Sequence, residues 1–206
     1  MTRLVVNSAA ADVPSVRVPL RLGRLDVVID VDLDQHELRR RQRDGCRPLL
    51  NLDLLNVLVA MPHAATVSKE AMSDFDWRLL MIGARSGAVE ISTAHGAAGA
   101  IRRASPPLSV RHVTVTATRW RDGLSVASRF APYGSRELIL DRLPADDVEL
   151  RLEAGYLGIG ISVRCDGFDQ PPSRIIEPAP FAPARYTGAS WLFAERLLAQ
   201  QVTIGA

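Results

Sequence analysis

Two alternating apolar runs joined by Gly23-Arg24 constrain this chain more than any other feature. Val16, Val18, Leu20 and Leu22 alternate with polar residues and Pro19, and Leu25, Val27, Ile29, Val31 and Leu33 resume the alternation. A period of two marks strands with one buried face. The Gly-X pair between them suits a two-residue type II′ turn, and a turn of that length sets the register. Leu22 then faces Leu25, Arg21 faces Asp26 and Arg17 faces Asp30. Opposite charges meet on the outer surface while the apolar residues fill the inner one. Pro19 has no N–H to donate, so its strand belongs at a sheet edge.

Downstream, Asp34 is suited to cap a short helix, with Glu37 at its third position and Gly45 as its stop. Arg39, Arg40, Arg41 and Arg43 predict that this helix is a solvated surface element. A second helix is predicted over Leu50 to Met61, ended by Pro62. The helical spacing of Met72, Phe75, Leu79 and Ile82 competes with a hairpin of Trp77–Ile82 and Ala88–Ser92 around Gly83–Gly87. The shortness of the second segment favours the hairpin. Ala97–Ala104 reads as a weak helix.

From Leu108 to Cys165 the expectation is antiparallel strands. Val110–Trp120 turns at Asp122-Gly123 into Leu124–Phe130, and Glu137–Leu143 follows. Val148–Ala154 and Leu157–Cys165 then form a hairpin around Gly155-Tyr156. Five prolines between Pro171 and Pro183 predict an extended arm. The arm leads to a final helix, capped at Thr187 or Ser190, whose apolar face carries Trp191, Leu192, Ala194, Leu197 and Leu198. The predicted class is α+β: a mainly antiparallel sheet built of hairpins, with a few helices. Residues 1–170 form one domain, and 171–206 an arm and helix packed on that domain or on a partner.

Composition narrows the function classes. With 206 residues and 47% apolar content the chain can bury one sizeable core. A net charge of +2 is too small for bulk attraction to polyanions. Lys69 is the sole lysine among the 25 Lys and Arg residues. A bias spread over the whole chain reads as codon usage rather than as bidentate recognition. Met1 to Ala11 lacks the apolar core of a secretory signal. Leu49 to Met61, interrupted by Asn51, Asp53 and Asn56, is too short and polar to span a bilayer. A cytoplasmic protein with Cys46 and Cys165 as free thiols is expected.

The residues that attract a chemical reading mostly have a structural one. Asp30, Asp32 and His36, with Asp34, form an acidic cluster suited to a divalent ion. The hairpin register already employs Asp30, and Asp34 caps a helix. The cluster supports only an alternative reading as a metal-dependent hydrolase. His36, His63, His95 and His112 have no metal-ligand spacing, and each reads as an ordinary surface or half-buried histidine unless folding gathers distant residues. Ser86 and Ser190 do not lie in a nucleophile elbow. Neither Gly155/Gly158/Gly160 nor Gly96/Gly99 follows a phosphate-loop pattern. No cofactor is expected. A further alternative, nucleic-acid binding through Arg39–Arg43 or Arg102 and Arg103, is weakened by interleaved carboxylates and the lack of stacking aromatics. Gly158 and Gly160 are expected to flatten a sheet face for the C-terminal helix or a partner segment, with Glu153 and Arg151 opposite them.

The run Leu54 to Pro62, with its L-x-x-L-x-x-x-P pattern over Leu55, Leu58 and Pro62, precedes a strand near Thr66–Ser68. Arg78–Arg85 and Ala88–Ile91 follow, and Gly158–Val163 precedes Arg185-Tyr186 much later. This order, a helix, a strand and then a basic hairpin, resembles the central block and last strands of EspG-like chaperones of type VII (ESX) secretion. The resemblance implies a cytosolic chaperone that binds substrate heterodimers, and it carries over no functional residue. The predicted function is a non-catalytic protein-binding or assembly protein: a chaperone, adaptor or structural subunit. A protein partner or a second copy would dock on Gly158, Gly160, Arg151, Tyr186, Trp191 and Phe193, the aromatics being the anchors.

Overall fold

The turn at Gly23 forms as the alternation requires. The computed structural model describes residues 15–94, 97–165, 170–182 and 186–204. Expectations resting on Met1–Ala11, His95, Gly96, Pro183 or Arg185 lie outside the described residues. Gly23 adopts φ 63° while Arg24 stays out of the positive-φ region, as a type II′ turn demands. Strands β1 (Ser15–Leu22) and β2 (Leu25–Leu33) pair with Leu22 on Leu25, Arg21 on Asp26 and Arg17 on Asp30. Val18, Val27, Ile29 and Val31 are buried. Among the described residues β1 is an edge strand, as Pro19 implied.

Six strands make the main sheet, in the order β1-β2-β6-β7-β8-β9. β6 (Leu108–Ala117) lies antiparallel to β2. β7 (Ser135–Leu140) and β8 (Ile159–Val163) continue the sheet in parallel, and β9 (Ser173–Ile176) closes it antiparallel to β8. Helix α4 (Trp120–Ser128) connects β6 to β7, and α5 (Val148–Leu157) connects β7 to β8. Parallel neighbours need such crossovers. The hairpins predicted at Asp122-Gly123 and Gly155-Tyr156 are therefore replaced by helices. The α+β class and the predominance of antiparallel pairing stand.

The two glycines that suggested turns have different reasons to be glycine. Gly123 lies inside α4, where an added Cβ would sit 2.4 Å from Leu138 Cδ1. It lets the helix approach the sheet. Gly155 lies inside α5 with nothing within 4 Å of that position. Reversal after α5 falls to Gly158, at φ 66°. Gly155→Ala should raise stability by about 1 kcal/mol through helix propensity. Gly123→Ala should lower it by about 1–3 kcal/mol through overpacking. Thermal denaturation of the two variants checks the opposite signs.

A second layer gathers α2 (Leu52–Ala60), α3 (Asp74–Arg85) and a three-stranded sheet ordered β3-β5-β4. Its strands are β3 (Thr66–Ser68), β4 (Val89–Ala94) and β5 (Ala97–Arg102). Asn51 caps α2, accepting from Leu54 N at 3.0 Å. Ser73 caps α3 in the same way. The helical spacing of Met72, Phe75, Leu79 and Ile82 thus prevails over the expected hairpin, burying Leu79 and Leu80. Ala97–Arg102 is a central strand instead of a weak helix, because pairing on both sides overrides the propensity of alanine.

Helix α6 (Gly188–Ile204) joins the two cores. Ala194 and Leu197 pack with the six-stranded sheet, and Trp191 packs among Leu54, Leu55 and Leu58. The helix starts at Thr187, whose Oγ1 accepts from Ser190 N at 3.1 Å. Helix α1 (Gln35–Asp44) has the predicted Asp34 cap and Gly45 stop. It is not a solvated helix. Glu37, Arg40 and Arg41 are 1%, 9% and 5% exposed. Glu37 takes Arg40 at 2.8 Å and Arg41 at 2.7 Å, and the Asp34 N–H donates to the Pro107 carbonyl at 2.9 Å, so no capping box forms. Arg41 also forks onto Glu195 of α6, with contacts of 2.6 and 2.7 Å. Glu195 further accepts from Trp191 Nε1 at 2.8 Å and from Leu49 N at 3.0 Å. The i, i+3, i+4 spacing of Glu37, Arg40 and Arg41 turns all three inward, while Arg39 and Arg43 stay exposed.

Candidate functional site

The outer face of the six-stranded sheet is polar because each strand alternates, and register decides which polar residues meet. Asp30 lies beside His112, His112 beside Ser135, Thr114 beside Glu137, and Glu137 beside Gly160. Gly160 is the close-approach position predicted for it. A Cβ there would lie 2.8 Å from Pro178, so the segment that crosses it is the proline arm rather than the C-terminal helix. Pro171, Pro172 and Pro178 wall a cavity of about 670 Å³ whose other lining includes Ser135, His112 and Glu137.

Three side chains on that wall form a hydrogen-bonded line. Ser135 Oγ lies 2.6 Å from His112 Nδ1, and His112 Nε2 lies 3.2 Å from Glu137 Oε2. Ser135 Oγ also lies 3.1 Å from the carbonyl oxygen of Arg111. Glu137 is 8% exposed and accepts in addition from buried Ser162 and from Arg174, the latter at 3.4 Å. The hydrogen bond from His112 is the main reason its carboxyl is held down to about 2; burial opposes this, and Ser162 and Arg174 assist. A depressed carboxyl contributes stability above its unfolded value and loses it as pH falls. Between 4.5 and about 2 the chain should therefore lose on the order of 3 kcal/mol at this group. Denaturant midpoints at pH 7 and pH 3 check it, and Glu137→Gln should flatten that fall.

The sequence singled out His112 only as an ordinary histidine and Glu137 only as the start of a strand. Ser135, Ser162 and Arg174 were missed. The alternation His112-x-Thr114-x-Thr116 and Ser135-x-Glu137 marks a polar face. Pairing between the two runs depends on a parallel register reached through α4, which spacing along the chain does not reveal.

The other predicted residues are scattered. Asp30 pairs with Arg17 at 3.1 Å, Asp32 pairs with Arg111, and His36 is exposed on α1. Among the described residues no group of three or more His, Cys, Asp or Glu side chains is placed to hold a metal ion. Of the proposed nucleic-acid contacts, Arg40 and Arg41 are buried in ion pairs. Arg102 donates to the carbonyls of Leu58 at 2.9 Å, Met61 at 3.2 Å and Ala104 at 3.0 Å, and Arg103 pairs with Glu90. Arg151 is not opposite the glycines. It is an exposed α5 residue bound to Asp147 at 2.7 Å. Trp191 is 0% exposed, so as a partner anchor it is corrected to a core residue of this chain. Phe193 stacks on Tyr133 at 4.2 Å, and Tyr186 remains 41% exposed. Gly158 ends α5, with Ala179 of the arm against it.

Helix α5 carries a second feature that its period-two reading concealed. Leu150 and Ala154 face the core, whereas Val148, Leu152 and Tyr156, four residues apart, are 62%, 70% and 90% exposed. A helix apolar on two opposite stripes is suited to bury both. Asp146, Glu149 and Glu153 flank the outer stripe, and Glu149 is paired with Arg121. No described helix is long and apolar enough to cross a membrane. No protein-family model, curated protein or solved structure matches the chain.

Proposed function

We propose that this chain is a protein-binding or assembly protein, a chaperone, adaptor or structural subunit, that receives a partner on the outer stripe of α5. The observation that carries this reading is the exposure of Val148, Leu152 and Tyr156 in one line along a helix whose opposite face is already buried. Large apolar residues at four-residue spacing are what a partner helix or groove packs against. The carboxylates around the stripe disfavour an anionic membrane surface, which recruits helices through Lys and Arg. The 54–91 block keeps the helix and strand of the EspG-like order, although Arg78–Arg85 is helix α3 where that order has a basic hairpin.

The test is co-purification from a native extract, comparing the wild type with Leu152→Asp. A stoichiometric protein retained by the first and lost by the second is the expected result. Equal retention by both would place binding elsewhere, and sedimentation as a dimer that Leu152→Asp dissolves would replace the partner with a second copy.

A further inference from the structure

The sheet carries a second feature on the face opposite α5, and it goes beyond partner binding. We propose that Ser135 is a nucleophile, activated by His112, for the hydrolysis of short-chain carboxylic esters in the cavity under the proline arm.

A serine hydroxyl becomes reactive when a base lies within hydrogen-bond reach and a third group orients that base. Ser135 and His112 meet this at 2.6 Å, and Glu137 holds the far nitrogen of the same ring at 3.2 Å. The carboxylate accepts the proton on Nε2, which leaves the lone pair of Nδ1 facing Ser135. The hydroxyl then has two acceptors, Nδ1 at 2.6 Å and the Arg111 carbonyl at 3.1 Å, and the shorter contact is to the base. None of this line is sealed in the core. It borders a cavity of about 670 Å³, within the range of small-molecule sites. Val28, Ile139 and the three prolines give the acyl group of a small ester an apolar wall, beside the polar Thr114, Thr116 and arginines.

The chemistry balances without a cofactor. Ser135 Oγ attacks the ester carbonyl carbon as its proton passes to His112 Nδ1. The tetrahedral adduct collapses, the carbon–alkoxide bond breaks, and the alcohol leaves with that proton. Water then attacks the acyl-serine, giving a proton to Nδ1. As the acid departs, the proton returns to Ser135. Arg111 and Arg174 line the same cavity, paired with Asp32 and with Glu137 and Glu177, and turning either from its carboxylate would bring positive charge to the oxyanion. Glu137 touches no reacting atom and is a positioning residue.

The test is covalent labelling of the full chain with a fluorophosphonate, read as an intact-mass increase and located by peptide mapping. p-Nitrophenyl acetate hydrolysis is followed alongside. The expected result is a single adduct on Ser135, with hydrolysis at least tenfold above that of Ser135→Ala. Labelling should fall at least tenfold in His112→Ala, and in Glu137→Ala it should fall and be partly rescued by Glu137→Asp. Circular dichroism selects variants that keep the wild-type fold, and a Ser135→Cys chain alkylated faster than Cys46 and Cys165 supplies the same answer if Ser135→Ala unfolds. No adduct on Ser135, or one formed equally fast in folded His112→Ala, overturns the proposal. Loss of partner capture in Leu152→Asp is a separate readout, so either idea can fail alone.

Discussion

Arg41→Ala is expected to cost the fold about 3–5 kcal/mol. The residue is 5% exposed and divides its guanidinium between Glu37 and Glu195, which are 1% and 0% exposed. Removing it leaves two carboxylates in the core with one arginine, Arg40, beside only the first. Burial raises the carboxyl of Glu37, yet the hydrogen bonds from Arg40 and Arg41 outweigh it and keep it below the usual carboxylate range. Without Arg41 that balance tilts towards burial, and Glu195 loses both of its short contacts to the guanidinium. The loss should appear as a lower urea midpoint with an unchanged slope. Arg17→Ala is the contrast. Its side chain is 82% exposed and its pair with Asp30 lies at the surface, so the midpoint should barely move.

Leu152→Asp should have the opposite profile: little change in stability and loss of partner binding. At 70% exposure Leu152 contributes little to the core, and exposed substitutions of this kind usually stay within about 0.5 kcal/mol. At the centre of a docked stripe, truncating or charging an apolar anchor typically costs about 2 kcal/mol or more of binding, some thirtyfold in affinity. The aspartate adds a carboxylate beside Glu149 and Glu153. A variant that folds and melts normally while binding falls at least tenfold separates docking from folding. Phe75, 56% exposed on α3, provides the comparison. Phe75→Asp should leave binding unchanged.

The sequence was legible where one local rule decided the outcome. Gly23-Arg24 set the hairpin, Asp34 and Gly45 bounded α1, and Pro62 ended α2, because turn length and capping act within a few residues. Between Asp122 and Gly155 local rules conflicted. Gly123 looks like a turn, yet it serves the contact of α4 with Leu138. Val148-x-Leu150-x-Leu152 has the period of a strand, yet it also places Leu150 inward and Val148 and Leu152 outward on a helix. The Ser135–His112–Glu137 line lay beyond reach for a related reason. Its members come from two strands brought side by side by a parallel crossover, so no interval along the chain records their proximity. Arg40 and Arg41 show the same limit in the core: arginines counted as solvated became buried once Glu37 and Glu195 flanked them.

Docking at α5 is tested most directly by placing the photo-crosslinker p-benzoylphenylalanine at position 152 and irradiating the protein in native extract. One adduct of discrete mass is expected, also formed from position 156 and absent when the crosslinker replaces exposed Leu50. No adduct at 152, or the same set of adducts from 152 and 50, would contradict docking at α5.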